Sequence, residues 1–396
     1  MIAYPAALAR TLEQTFDWGT ERVPLAQATG RVLSQSVVAD RDHPPFDRVA
    51  MDGVAIDFQA YAAAQRRFAV SHVAPAGTPP RPLAASDQCV EVMTGAPLPP
   101  GTTTVIRYED IQRDGEFIVL PDGVTDARSI HRRATDARAG TTMLEGSRII
   151  GPAEMAVLAT YGQATVTVRR WPLVAIASTG DEVVDVDREP QDHQIRSSNV
   201  HQLASLFRMA GIQPTLSHLG DDPAGGRHTL GRLIDDHDVV LLSGGVSKGK
   251  LDHIPNWLAD AGIEKLFHRV AQRPGKPLWV GRNEDTMVFA LPGNPASSLV
   301  GAVVYVGAWL RQQLGVPVEN RRALLAEDVS FAPELTLFRS VQLEHANGQI
   351  TARPVTNSGS GDLVSLLETD GFLVLPADRT NFMASEPFPF VPLRFF

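Results

Sequence analysis

Cysteine is almost missing from this chain: Cys89 is the only one in 396 residues. An intrachain disulfide framework is excluded, and so is a thiolate cluster for zinc or iron-sulfur, which fits a reducing cytoplasm. No stretch of eighteen consecutive apolar residues occurs, and no basic segment followed by an apolar run opens the sequence. The expectation is an untargeted chain without a membrane span. Positive charge is also in deficit, with 36 Lys and Arg against 45 Asp and Glu for a net charge of -9. That argues against duplex nucleic acid or an anionic membrane as the main partner, but a local basic pocket is still allowed.

Several catalytic signatures are missing too. Neither the G-x-x-x-x-G-K-[ST] phosphate loop nor the G-x-G-x-x-G dinucleotide fingerprint is present. His131, His253 and His268 form no H-E-x-x-H or cysteine-histidine zinc pattern, and they read as ordinary histidines. Ser243 and Ser247 lack the G-x-S-x-G context, which disfavours a serine hydrolase.

What is present is length and proline. A chain of 396 residues exceeds the size at which one core stops growing, so two to four domains are expected. Its 29 prolines exceed the usual ~5% and suggest many rigid joints. Ala7, Leu8, Leu12 and Phe16 recur at helical spacing near the start, and Gly151 to Tyr161 is again helix-compatible. Between them, short apolar runs broken by Pro and Gly read as a small β-rich domain over 46–139, flanked by one linking domain made of 1–45 and 140–170.

From Trp171 the rhythm changes. Strands are expected at Leu173 to Ala177, Val239 to Leu242, Leu266 to Val270 and Met287 to Leu291. Helices are expected on Val200, Leu203, Phe207 and Ala210, on Leu230, Leu233 and Ile234, near Ile254 to Ala261, and as one long element after Pro295. This alternation predicts an α/β domain over 171–320, followed by a C-terminal β domain over 321–396.

Candidate chemistry sits on the loops that follow strands. Ser243-Gly244-Gly245-Val246-Ser247 can bring backbone close to a ligand, although a tight turn alone explains the glycines. Ser178-Thr179-Gly180-Asp181-Glu182 and Leu291-Pro292-Gly293-Asn294-Pro295 belong to the same expected crevice. Arg269, Arg273 and Lys276 gather three positive charges near a turn, either as a solvated loop or as an oxyanion pocket. The carboxylates of Asp52, Asp136, Glu182, Asp221, Asp222 and Asp252 would suit Mg²⁺ if some converge, while each alone reads as a cap or ion pair. Thr94 can donate a hydroxyl to a phosphate oxygen or simply stabilise a turn. Trp257 and Trp279 read as packing residues.

Taken in order, Met51-Asp52-Gly53, Met93-Thr94-Gly95-Ala96-Pro97 and the three strand-end loops resemble MoeA, the molybdopterin molybdenumtransferase family, which is related to a domain of gephyrin. The resemblance covers nearly the whole chain. It implies a MogA-like α/β molybdopterin-binding domain combined with β-rich domains and an elongated mixed α/β linking domain, in a cytoplasmic homodimer whose β unit completes the partner's site.

The implied reaction is Mg²⁺-dependent insertion of molybdate into adenylylated molybdopterin with loss of AMP. By resemblance, Asp52, Thr94, Asp136, Glu182, Asp222 and Asp252 act in catalysis, and Glu182, Asp222 and Asp252 hold the metal. Thr179, Gly180, Asp181, Ser243, Gly244, Gly245, Ser247, Arg269, Arg273, Lys276, Pro292, Gly293, Asn294 and Pro295 bind the cofactor. A molybdopterin adenylyltransferase or molybdoenzyme chaperone is the implied protein partner. Arg269 and Arg273 stand where the family commonly has lysine, and Ala134-Thr135 replace the usual glycine and glutamate before Asp136. These departures motivate an alternative, a noncatalytic molybdopterin-binding or delivery protein.

Overall fold

Val174–Thr179 (β1) is buried along its entire length in the computed structural model, which describes residues 1–246, 253–317, 320–346 and 348–396. A strand buried on both faces needs a layer on each side of its sheet. The sheet is completed by Thr215–Leu219 (β2), Val239–Ser243 (β3), Glu264–His268 (β4), Trp279–Arg282 (β5) and Met287–Leu291 (β6). Their spatial order is β2-β1-β3-β6-β5-β4. The first four in that order are parallel, and β5 and β4 add an antiparallel edge.

Alternation along the strands sends successive side chains to opposite faces. Val174, Ile176, Val239, Leu241, Met287 and Phe289 join one core, and Ala175, Ala177, Val240, Leu242, Val288 and Ala290 join the other. Helix α1 (Tyr4–Leu12) and helix α2 (Ser198–Met209) pack into the first core, the latter through Val200, Leu203 and Phe207. Helix α3 (Pro223–Asp236) covers the second core through Leu230, Leu233 and Ile234, and helix α4 (Ile254–Asp260) through Ile254, Trp257 and Leu258. Trp257 and Trp279 are both buried, as packing residues should be.

The structure moves several expected boundaries. Helix α1 stops at Leu12, and Phe16 lies beyond it, packed edge-on against Trp309. The strand expected over Leu266 to Val270 is two strands, because Arg269 adopts φ +71 and breaks the run between β4 and Val270–Arg273. The long helix after Pro295 is Pro295–Gly301 (α5), a π-helical turn at Ala302–Val306, and Gly307–Gln313 (α6). The helix expected over Gly151 to Tyr161 runs Pro152–Thr160.

Beyond residue 320 the chain closes a ring of strands. Thr336–Ala346 pairs with Gln349–Pro354, then Arg322–Leu325, Pro387–Pro392 and Gly371–Leu375 follow, and the last pairs back with Thr336–Ala346. Closure removes free edges. Leu325, Val341, Leu373, Leu375, Phe382 and Phe388 fill its core. Val270–Arg273 adds to this sheet beside Thr336–Ala346, with Ile2–Ala3 outside it. These elements form one compact unit, made of residues 1–35, 146–152 and 165–396.

A second unit comprises residues 36–145 and 153–164. Its six-stranded sheet has the order Thr104–Arg107, Gly53–Ile56, Gln88–Val92, Arg67–Ala74, Phe117–Val119, Gln112–Asp114. Gly53 is required there, since a Cβ would lie 1.9 Å from the Ile106 carbonyl oxygen. Among the described residues, no helix is long and apolar enough to cross a membrane.

Candidate functional site

From β1 the chain moves to β2 on one side and then to β3 on the other, so the strand order reverses at β1. Such a switch point opens a crevice at the carboxyl ends of the strands. Thr179 ends β1 and Ser243 ends β3, and the Thr179 hydroxyl donates to the Ser243 carbonyl over 3.2 Å. The Gly244 amide donates to the Leu291 carbonyl at 3.0 Å, which joins the loop after β3 to the end of β6. Gly244 has φ +105, and a Cβ there would stand 2.4 Å from Thr179 Oγ1. Only glycine satisfies both constraints.

Asn199, on α2, ties two of the loops together. Its Nδ2 donates to Ser243 Oγ at 2.9 Å and to the Gly293 carbonyl at 2.6 Å. Two cavities meet at Gly245. The smaller, about 230 Å³, is lined by Thr179, Gly180, Glu182, Asp221, Gly244 and Gly245 among others. The larger, about 610 Å³, takes Gly245, Arg273, Lys276, Pro292, Gly293 and Asn294. A cavity of about 1010 Å³ elsewhere in this unit contains none of the expected site residues, so volume alone does not mark the site.

The acidic loops are partly committed to local structure. Asp181 Oδ1 accepts the Asp221 amide at 2.9 Å, and Asp222 Oδ2 caps α3 by accepting the Gly225 amide at 2.7 Å. Asp181, Asp222, Ser243 and Pro295 line neither cavity. Arg269 does not line them either: its carbonyl accepts the Ile2 amide, and its buried Nε has no hydrogen-bond partner among the described residues. Ser247 and Asp252 lie outside the described residues. Among the described residues, no three His, Cys, Asp or Glu side chains converge as a metal-binding group. Glu182 and Asp221, both on the smaller cavity, nevertheless offer hard oxygen donors, and Mg²⁺ typically uses one or two carboxylates and keeps several waters.

In the second unit, Asp52 and Thr94 are brought together. The Thr94 hydroxyl and amide both donate to Asp52 Oδ1, and these bonds hold the carboxyl below the usual aspartate range. Asp136 is a neighbour of two histidines, with His131 Nε2 3.0 Å from Oδ1 and His43 Nε2 3.9 Å from Oδ2.

Four contributing residues carry no local signal in the sequence. Asn199 looks like one polar residue on a helix. Asn357 and Ser360 line the larger cavity from a Gly- and Ser-rich loop, and Ser360 Oγ accepts from Asn294 Nδ2 at 2.7 Å. Arg339 lines it from Thr336–Ala346; its Nε is buried without a hydrogen-bond partner among the described residues, and desolvation pulls its pKa down against the opposing charge of Glu327. The alternation of that strand would flag Arg339 only with the barrel closure in hand.

Residues 2–162 match the MoeA N-terminal region (domain I and II), residues 175–312 a probable molybdopterin binding domain, and residues 322–393 the MoeA C-terminal region (domain IV). A molybdopterin molybdenumtransferase from Synechocystis sp. is 37% identical over 98% of this chain and 99% of its own length. One from Staphylococcus aureus is 29% identical over 96% of this chain and 92% of its own. The crystal structure of a molybdopterin biosynthesis moeA protein from Pyrococcus horikoshii superposes with a TM-score of 0.83 at 27% identity, covering 99% of this chain and 100% of that one.

Proposed function

The chain belongs to the molybdopterin molybdenumtransferase family and inserts molybdenum into molybdopterin, and from that premise we propose that adenylylated molybdopterin and molybdate are its substrates and AMP a product. The observation that carries the reading is the pair of cavities meeting at Gly245, one with carboxylates and the other with Arg273, Lys276 and Arg339. An oxyanion is stabilised by fixed cations in a partly desolvated pocket, so the larger cavity suits molybdate and a phosphoryl group.

Gly244, Gly245 and Gly293 let the backbone approach the substrate, while Asn199 holds the two loops in register. Glu182 and Asp221 would hold Mg²⁺, with Asp222 and Asp252 as the further candidates from sequence; bound there, the ion would polarise a phosphoryl oxygen. Asp52, Thr94 and Asp136 are the remaining catalytic candidates from sequence. The protein acts as a cytoplasmic homodimer, and its mass in solution tests the dimer.

The delivery-only alternative is not favoured, since relatives matched over nearly the full length are transferases by name. Incubation with adenylylated molybdopterin, molybdate and Mg²⁺ should release AMP and form molybdenum cofactor. Pterin binding with neither product would overturn the proposal.

A further inference from the structure

We propose that His131 is a positioning residue for the Asp136 carboxylate, held in one tautomer by Arg48; this rests on the reading that Asp136 acts in molybdenum transfer. Arg48 Nη2 stands 3.0 Å from His131 Nδ1. A guanidinium has donors and no acceptor, so Nδ1 must accept and the ring proton sits on Nε2. That nitrogen is 3.0 Å from Asp136 Oδ1, and its N–H donates to the carboxylate.

The arrangement is built into backbone pairing. Arg48 and His131 face each other in the antiparallel pair of Arg48–Val49 with Ile130–His131. Neighbouring arginines are committed elsewhere: Arg132 pairs with Asp47 and Arg133 with Asp42, each at 2.6 Å. His43 stands 3.9 Å from Oδ2, beyond hydrogen-bond reach, with its ring against Tyr161. His131 is therefore the group that orients Asp136 Oδ1.

The test uses the full-length protein. Histidine-ring nitrogen NMR, assigned by difference with His131→Phe, should show His131 protonated at Nε2 at pH 7.5, with the tautomers mixing in Arg48→Met. In the AMP-release assay His131→Phe should lose about tenfold in kcat, the scale of one charge-assisted hydrogen bond. His131→Gln, whose amide can still donate, should recover most of it. A ring protonated at Nδ1 in the wild type would overturn the inference, as would normal turnover of His131→Phe beside an impaired Asp136→Asn. Normal turnover of Asp136→Asn would instead remove the role of Asp136, and the inference with it.

Discussion

Thr94 gives Asp52 two hydrogen bonds at a single oxygen, its amide nitrogen and its hydroxyl each 2.6 Å from Oδ1. The hydroxyl bond is the larger cause of the lowered carboxyl pKa, with the amide second. A folded-state value below the unfolded one adds stability above the unfolded pKa, and that stability is lost as pH falls through the folded value. Thr94→Val keeps the amide bond and removes the hydroxyl bond. Its Asp52 carboxyl should titrate closer to the ordinary value of 3.8 than the wild type does. Carboxyl-carbon NMR checks this, and equal midpoints in the two proteins would contradict it.

Gly244→Ala should destabilise the first unit by about 1–3 kcal/mol, the usual cost of a non-glycine residue in a sparsely populated backbone region. The added methyl also meets Thr179 Oγ1. Pairing the substitution with Thr179→Ala relieves the clash and leaves the backbone strain, so only part of the loss should return. Urea midpoints of the wild type, Gly244→Ala and the double variant measure this; a Gly244→Ala midpoint equal to wild type would refute it.

Arg339→Met should raise the KM for molybdate by about tenfold or more, in line with loss of one charge-assisted contact. Stability should fall little, because burying a guanidinium without full hydrogen bonding is itself unfavourable. An unchanged KM would remove Arg339 from the oxyanion seat. Arg339→Lys should recover function only in part, since an ammonium lacks the planar fork.

Cys89 is fully buried, and burial, with the charge of Glu91 adding to it, pushes its thiol up to about 12. Alkylation at pH 8 should therefore be slow in the folded protein and fast in urea. Rapid labelling of the native protein would contradict the placement of Cys89 in the core.

Much of the fold is legible in the sequence because β1, β3 and β6 are continuous apolar runs, and α2 and α3 bury regular stripes. The strand-end glycines mark the crevice because close backbone approach demands them. Trp279–Arg282 escapes notice because a four-residue strand has too little pattern to read. The ring of strands depends on Gly371–Leu375 pairing back to Thr336–Ala346, a long-range contact with no local signature. Arg269 lines neither cavity, and its φ of +71 breaks the strand there, a backbone feature that charge spacing cannot reveal.

The most direct test of the central claim is a single-turnover measurement of AMP released against molybdenum inserted, using adenylylated molybdopterin with and without molybdate. One AMP is expected for each molybdenum incorporated, with little AMP released when molybdate is withheld. AMP release that proceeds equally without molybdate, and with no cofactor formed, would show hydrolysis in place of metal transfer.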